Sequence, residues 1–205
     1  MTNFFYIYKN WIRFKSHIIE RQAGFTLVDI LMGLALASVL MVAVVSLFTT
    51  MGRSYTTQNV AADVQAVTRA GVELMTQDIR MAGVNPAQIS GVGIVAAAPA
   101  NIQFTSDLNL NGTIDDTYER ITYYLNGDRL MQQLFAGNPM PLVENVTNLS
   151  FDYRDEDDVP VTDLVADIAI IRTVIISMTV QASAGRSGAL QRTYTARVRC
   201  RNLGL

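Results

Sequence analysis

The sequence holds one cysteine, Cys200, one histidine, His17, and two lysines, Lys9 and Lys15, in 205 residues. A lone cysteine excludes an intramolecular disulfide and any cysteine-rich metal centre. Beyond residue 24 there is neither histidine nor lysine, so most acid–base and nucleophilic schemes lose their usual agents. Carboxylate pairs remain, but no spacing singles one out, and no catalytic residue or enzymatic activity is expected. Proline is scarce, and none precedes Pro86, which leaves that stretch open to long helices. Charged residues make up only 17% of the chain, the formal net charge is −2, and 50% of the residues are hydrophobic. That balance excludes a chain disordered over its bulk. It also lacks the basic surplus of a nucleic-acid binder, so nucleic acid is not an expected partner. Apolar runs of membrane-spanning length are limited to one, where a polytopic protein needs several.

That run is residues 25–48, 24 residues with Asp29 as the sole charge. As a helix it would be roughly 36 Å long, enough for a hydrocarbon core of about 30 Å. Before it, Lys9, Arg13, Lys15 and Arg21 face only Glu20, a net +3 over residues 1–24. The basic flank places the N-terminus in the cytoplasm and the rest across the bilayer. From hydropathy alone this is a signal anchor. A cleaved secretory signal fits less well, because its apolar core is about 7–15 residues long and ends in a small-residue cleavage site. The leader is also rich in aromatics (Phe4, Phe5, Tyr6, Tyr8, Trp11 and Phe14) suited to a membrane interface.

A third reading comes from the junction Arg21-Gln22-Ala23-Gly24-Phe25-Thr26-Leu27-Val28-Asp29. It resembles the type IV prepilin signature, in which a basic leader and a glycine precede an aromatic-led apolar helix with an acidic fifth residue. The resemblance implies cleavage between Gly24 and Phe25 by a prepilin peptidase and N-methylation of Phe25. The family usually has glutamate where Asp29 stands. A carboxylate within a membrane span costs some 2.5–3.5 kcal/mol on insertion scales, so a partner is expected. Asp29 lies about 6 Å of helix rise from the new N-terminus. It could neutralise a neighbouring subunit's terminal ammonium during assembly, or be solvated at the interface.

The remaining chain reads as α+β. Apolar or small residues recur at Val60, Val64, Val67, Gly71, Leu74 and Ile79, widened by Val72 and Met75, which predicts an amphipathic helical stripe. Gly83 is the expected C-cap, with Pro86 beyond it. A break near Gly52 is the alternative to one continuous helix. Residues 84–205 turn to strands: short ones at 92–96 and 101–105, a hairpin over 120–134 turning at Asn126-Gly127, and longer strands at 146–153, 168–182 and 190–201. The expectation is a leader at 1–24, a transmembrane helix at 25–48, its amphipathic continuation at 49–83, and one antiparallel sheet of four to six strands in 84–205, facing the helix on one side.

Helix followed by antiparallel sheet resembles the pilin fold. The helix exit Asp78-Ile79-Arg80-Met81-Ala82-Gly83-Val84-Asn85-Pro86 and the closing Val198-Arg199-Cys200-Arg201-Asn202-Leu203 resemble PilW-type minor pilins. The closing stretch also resembles J-type minor pseudopilins of type II secretion. No C-terminal cysteine pair is present, and Ser46 stands where many major pilins carry proline, which favours a minor subunit. The resemblance implies as partners the prepilin peptidase, other major and minor pilins, the inner-membrane assembly machinery and the lipid bilayer. It places the C-terminal domain in the periplasm and later on the pilus.

Residues 107–115 carry oxygen side chains at Asp107, Asn109, Asn111 and Asp115 with Gly112 between, which is close to the start of a calcium-binding loop. Tyr118 stands where the bidentate glutamate belongs, and Glu119, one residue late, or Asp116 would complete a Ca2+ site. The competing reading is an Asx-rich turn. A calcium-dependent adhesive module on a membrane anchor is thus a further functional alternative. The acidic run at 155–158 reads as a solvated loop tip, Cys200 as a buried free thiol, and Arg197, Arg199 and Arg201 as one strand face.

Overall fold

A computed structural model describes residues 24–185 and 188–203. The expectations for residues 1–23, His17, the lysines and the aromatic leader among them, lie outside the described residues. The chain divides into two compact units, Met1–Thr50 and Met51–Leu205. One helix, α1 (Leu27–Arg80), contributes to both, and Gly52 lies within it without a break.

Among the described residues of the first unit, the helical ones are exposed throughout. Length and hydropathy make this segment a possible membrane span, and a signal sequence passes the same test. α1 starts at Leu27, two residues after the expected Phe25.

The second unit is α+β, with helix packed on antiparallel sheet as expected. Eight strands follow α1: β1 (Gly93–Ala98), β2 (Asn101–Thr105), β3 (Arg120–Asn126), β4 (Arg129–Leu134), β5 (Met140–Val143), β6 (Val146–Arg154), β7 (Thr173–Ser183) and β8 (Ala189–Arg199). They form two sheets instead of the single expected one. The first is a meander in the order β1-β2-β3-β4-β5, and the second has the order β6-β7-β8. Strand periodicity reveals which residues face inward but not which strands share a sheet, so the division was hidden. Tyr153 of β6 ties the sheets together, its hydroxyl donating to the carbonyls of Ala98 and Asn101 at 3.0 and 3.1 Å.

The helix buries Val64, Thr68, Gly71, Val72, Met75 and Ile79, a row with helical spacing. Val67 and Leu74, expected in that stripe, are instead 44% and 37% exposed. The contact line is turned by roughly 35–55°, about an eighth of the helix circumference, and Thr68 takes up part of it. Its polarity disguised it: the hydroxyl donates back to the Val64 carbonyl at 2.5 Å, so it is not itself left bare in the core. Opposite the helix stand Ile102 and Phe104 of β2, Tyr123 of β3, Leu130 of β4, and Val174, Ile176 and Met178 of β7. Their alternation along each strand is what period-two patterning demands.

α1 ends at Arg80, and residues 81–83 form a turn closed by Gly83 at φ +86°. A side chain there would be strained, and a Cβ would lie 2.6 Å from Leu203 Cδ2. The expected C-cap therefore has a steric cause as well as a conformational one. Several strand boundaries differ from expectation; β8, expected to run to residue 201, ends at Arg199, so Cys200 and Arg201 lie beyond it. Ile168–Ile170 is a 3-10 turn, not strand. Just before it, Asp163 accepts the amides of Val165 and Ala166 and coils the chain despite its β-branched sequence. β5 was not expected because it is four residues long and contains Pro141.

Candidate functional site

At the start of α1, Asp29 and Thr26 cap the helix reciprocally. The Thr26 amide donates to Asp29 Oδ2 at 3.0 Å, and the Asp29 amide donates to Thr26 Oγ1 at 3.2 Å. This is capping-box geometry with aspartate in place of glutamate, and a carboxylate there also complements the helix dipole. The pattern Thr-x-x-Asp was readable in the sequence as a local cap. Among the described residues, Asp29 Oδ1 makes no hydrogen bond. Gly24 and Phe25 precede the helix in open, fully exposed chain, Phe25 at 87%.

The loop between β2 and β3 is built on its own side-chain oxygens. Asp107 is fully buried, and its carboxylate accepts the amides of Asn111 at 3.1 Å and Gly112 at 3.0 Å. Asn109 Oδ1 accepts the Asn111 amide, and Asn111 Oδ1 accepts the amide and hydroxyl of Thr113. The Asn109 and Asn111 bonds are Asx turns, and with those of Asp107 they occupy three of the residues proposed as calcium ligands. Glu119, also buried, reaches back across the loop: Oε1 accepts the amides of Leu108 and Asn109 at 3.2 and 3.4 Å, and Oε2 accepts that of Asp116 at 3.1 Å. One carboxylate oxygen from each of Asp115, Asp116 and Glu119 lies within 4.8 Å of the other two. Asn109 Nδ2 also donates to Asp116. The carboxylates close enough to share a cation thus stand at the loop's C-terminal end, around Asp116, while Asp107 holds the backbone. Three carboxylates supply part of the six to eight oxygens that Ca2+ takes.

The acidic run at 155–158 and the arginine face of β8 are partners. Arg197 grips both carboxylate oxygens of Asp158, at 2.5 and 3.1 Å, and Arg199 Nη2 lies 3.8 Å from Glu156. The Arg197 contact holds the Asp158 carboxyl below its ordinary range. Bidentate geometry makes it the strongest of these surface pairs, though both partners are half exposed and screened by solvent. Reading each segment separately could not find this, since the partners are 39 residues apart.

One polar cluster fastens the end of α1 to the first sheet. Asp78 Oδ2 accepts the Tyr123 hydroxyl at 2.5 Å and the Gln132 amide at 3.2 Å, and Gln132 also donates to the Tyr123 hydroxyl at 2.7 Å. Burial raises the Asp78 carboxyl above its ordinary range, against the opposing pull of these donors. Cys200 is a buried free thiol whose S–H faces the Ile79 carbonyl at 3.6 Å, and burial pushes it up to about 12. At that value it stays a neutral thiol at neutral pH.

Compared with models of known protein families and with curated proteins, the chain matches none.

Proposed function

We propose that this chain is a minor subunit of a type IV pilus, of the PilW type. It is held in the bacterial inner membrane by residues 25–48, with the α+β unit in the periplasm, until the assembly machinery draws it into or beneath a filament with major and minor pilins. The supporting observation is the join of a Gly24-Phe25-Thr26-Leu27 junction to an apolar helix that, among the described residues, is exposed throughout the first unit. An apolar helical surface of that length needs lipid or other helices around it. Lipid before assembly and neighbouring subunits afterwards supply both. Asp29 then has two tasks: Oδ2 caps its own helix, and Oδ1 offers a charge to a neighbour's N-terminal ammonium. At 4 Å such a pair is worth about 1 kcal/mol in water and about 4 at an effective dielectric of 20. Its role in this scheme is registry, and no catalysis is assigned to the chain.

Mass spectrometry of the protein isolated from its native membrane tests the processing step. The expected N-terminus is N-methylated Phe25, and an intact Met1 or a start at any other residue removes the assignment. A deletion strain scored for surface filaments and for protein secretion then separates the pilus from the pseudopilin alternative. Loss of filaments with secretion intact is the expected result.

The carboxylate group of Asp115, Asp116 and Glu119 favours a second reading, calcium as a stabiliser of the β2–β3 loop. A cation bound only by the folded state adds stability by mass action, about 1.4 kcal/mol at ten times its dissociation constant. Millimolar Ca2+ is expected to raise the melting temperature of the native protein and to leave Asp116→Ala unchanged. An unshifted melting curve for the native protein at that concentration ends this reading.

A further inference from the structure

Three of the four outer edges in the two sheets are obstructed. β1 is six residues long and bulged between Ile94 and Ala96. β5 has four residues, contains Pro141, and meets β4 through a register shift. β6 is bulged between Val146 and Asn148, and its Val146 and Phe151 amides are taken by the carbonyls of Asp128 and Pro99, both at 2.8 Å. β8 differs from all of them. It runs for 11 residues without proline or glycine, and its register with β7 is unbroken from Thr173↔Arg199 to Ser183↔Ala189. Among the described residues, no backbone hydrogen bond joins its outer edge to another segment. A long, regular, free edge is a row of unpaired N–H and C=O groups, a template for one more strand.

The side chains state what chemistry that strand must carry. From residue 168 onward the sequence has arginines and no acidic residue. On β8, Arg197 and Arg199 share the outward sheet face by strand alternation, while Arg192 lies on the other face. The chain itself seats carboxylates on the first two, Asp158 on Arg197 and Glu156 on Arg199, and leaves them 54% and 65% exposed. A second copy of β8 would bring only further arginines to the edge, and like charges across a strand pair are destabilising. We infer that the outer edge of β8 receives an extended acidic strand from a partner protein. The partner's backbone continues the β6-β7-β8 ladder, and its alternate carboxylates meet Arg197 and Arg199. This surface is independent of the filament assignment, since it rests on the sheet edge alone.

The test uses the full chain in detergent micelles and a fluorescein-labelled decapeptide of alternating threonine and glutamate, read by anisotropy. Saturable binding is expected, weakened at least tenfold in Arg197→Gln/Arg199→Gln. It is expected to weaken equally on the native protein when alternate peptide amides are N-methylated, a change that keeps every charge and leaves the protein's folding untouched. No binding at millimolar peptide overturns the inference. So does equal binding of the N-methylated peptide or of its lysine counterpart, and so does binding of a single-stranded oligothymidine as tight as that of the acidic peptide.

Discussion

Gly71→Leu is expected to destabilise the C-terminal unit by about 3 kcal/mol or more, seen as a fall in melting temperature of roughly 6–12 °C for the full chain in detergent. At Gly71, α1 packs closely against both sheets. A Cβ built there would sit 2.8 Å from Val143 Cγ2 and 2.9 Å from Met178 Cε, with Leu130 Cδ2 at 3.8 Å. These atoms come from β5, β7 and β4, so the glycine opens room for both sheets at once. Alanine already intrudes. It recovers about 1 kcal/mol of helix propensity and loses some 1–3 kcal/mol to overpacking, so Gly71→Ala is expected to be neutral to mildly destabilising. Leucine adds three more carbons to a space that cannot take one. If the leucine variant melts with the native protein, the helix does not lie on the sheets at this point.

The second large effect is alkaline. Burial raises the Cys200 thiol from an ordinary 9.0 to about 12, and it raises the Tyr123 and Tyr153 hydroxyls well above their ordinary 10.0. Tyr123 is raised further by its bond to the Asp78 carboxylate. Each group must stay protonated to remain inside. Because each folded-state pKa lies above the unfolded one, the stability these groups contribute is complete below pH 9. It is lost as pH rises, at about 1.4 kcal/mol per pH unit for each group in play. Denaturation midpoints are expected to be level from pH 7 to 9 and to fall steeply above it. By pH 11 the thiol and both phenols together account for a loss on the order of 5 kcal/mol. In Cys200→Ala the onset is expected near pH 10, where only the tyrosines respond. A midpoint that stays level to pH 11 would show that these groups are not held neutral in the core.

Much of the framework was legible in sequence because its causes are local. The long helix follows from an absence of proline and a run of apolar residues, and its end from Gly83, whose positive φ no larger side chain adopts cheaply. The β2 and β7 strands follow from alternation, and the β3–β4 hairpin was expected too, although Asn126 pairs with Arg129 and the turn residues are Gly127 and Asp128, one position beyond the expected Asn126-Gly127. The turn-forming character of 107–113 was likewise visible, since an Asx oxygen bonds amides two to five residues away.

What remained hidden involved groups far apart in the chain. Nothing local says that Glu119 folds back over Leu108 and Asn109, that Asp158 meets Arg197, or that Asp78, Tyr123 and Gln132 share one cluster. The rotation of the helix's contact line was also hidden, because Thr68 becomes an inward residue only once its hydroxyl is satisfied at Val64. The sequence by itself determined an apolar helix, a strand-rich C-terminal half and a chain without histidine or lysine beyond residue 24, since composition and periodicity act over a few residues. Tertiary structure decided that the strands divide into two sheets, that Gly71 lets the helix approach both of them closely, and that β8 is left with an open edge. Those outcomes depend on which surfaces meet, and burial, sterics and hydrogen bonding settle that only when distant segments are brought together.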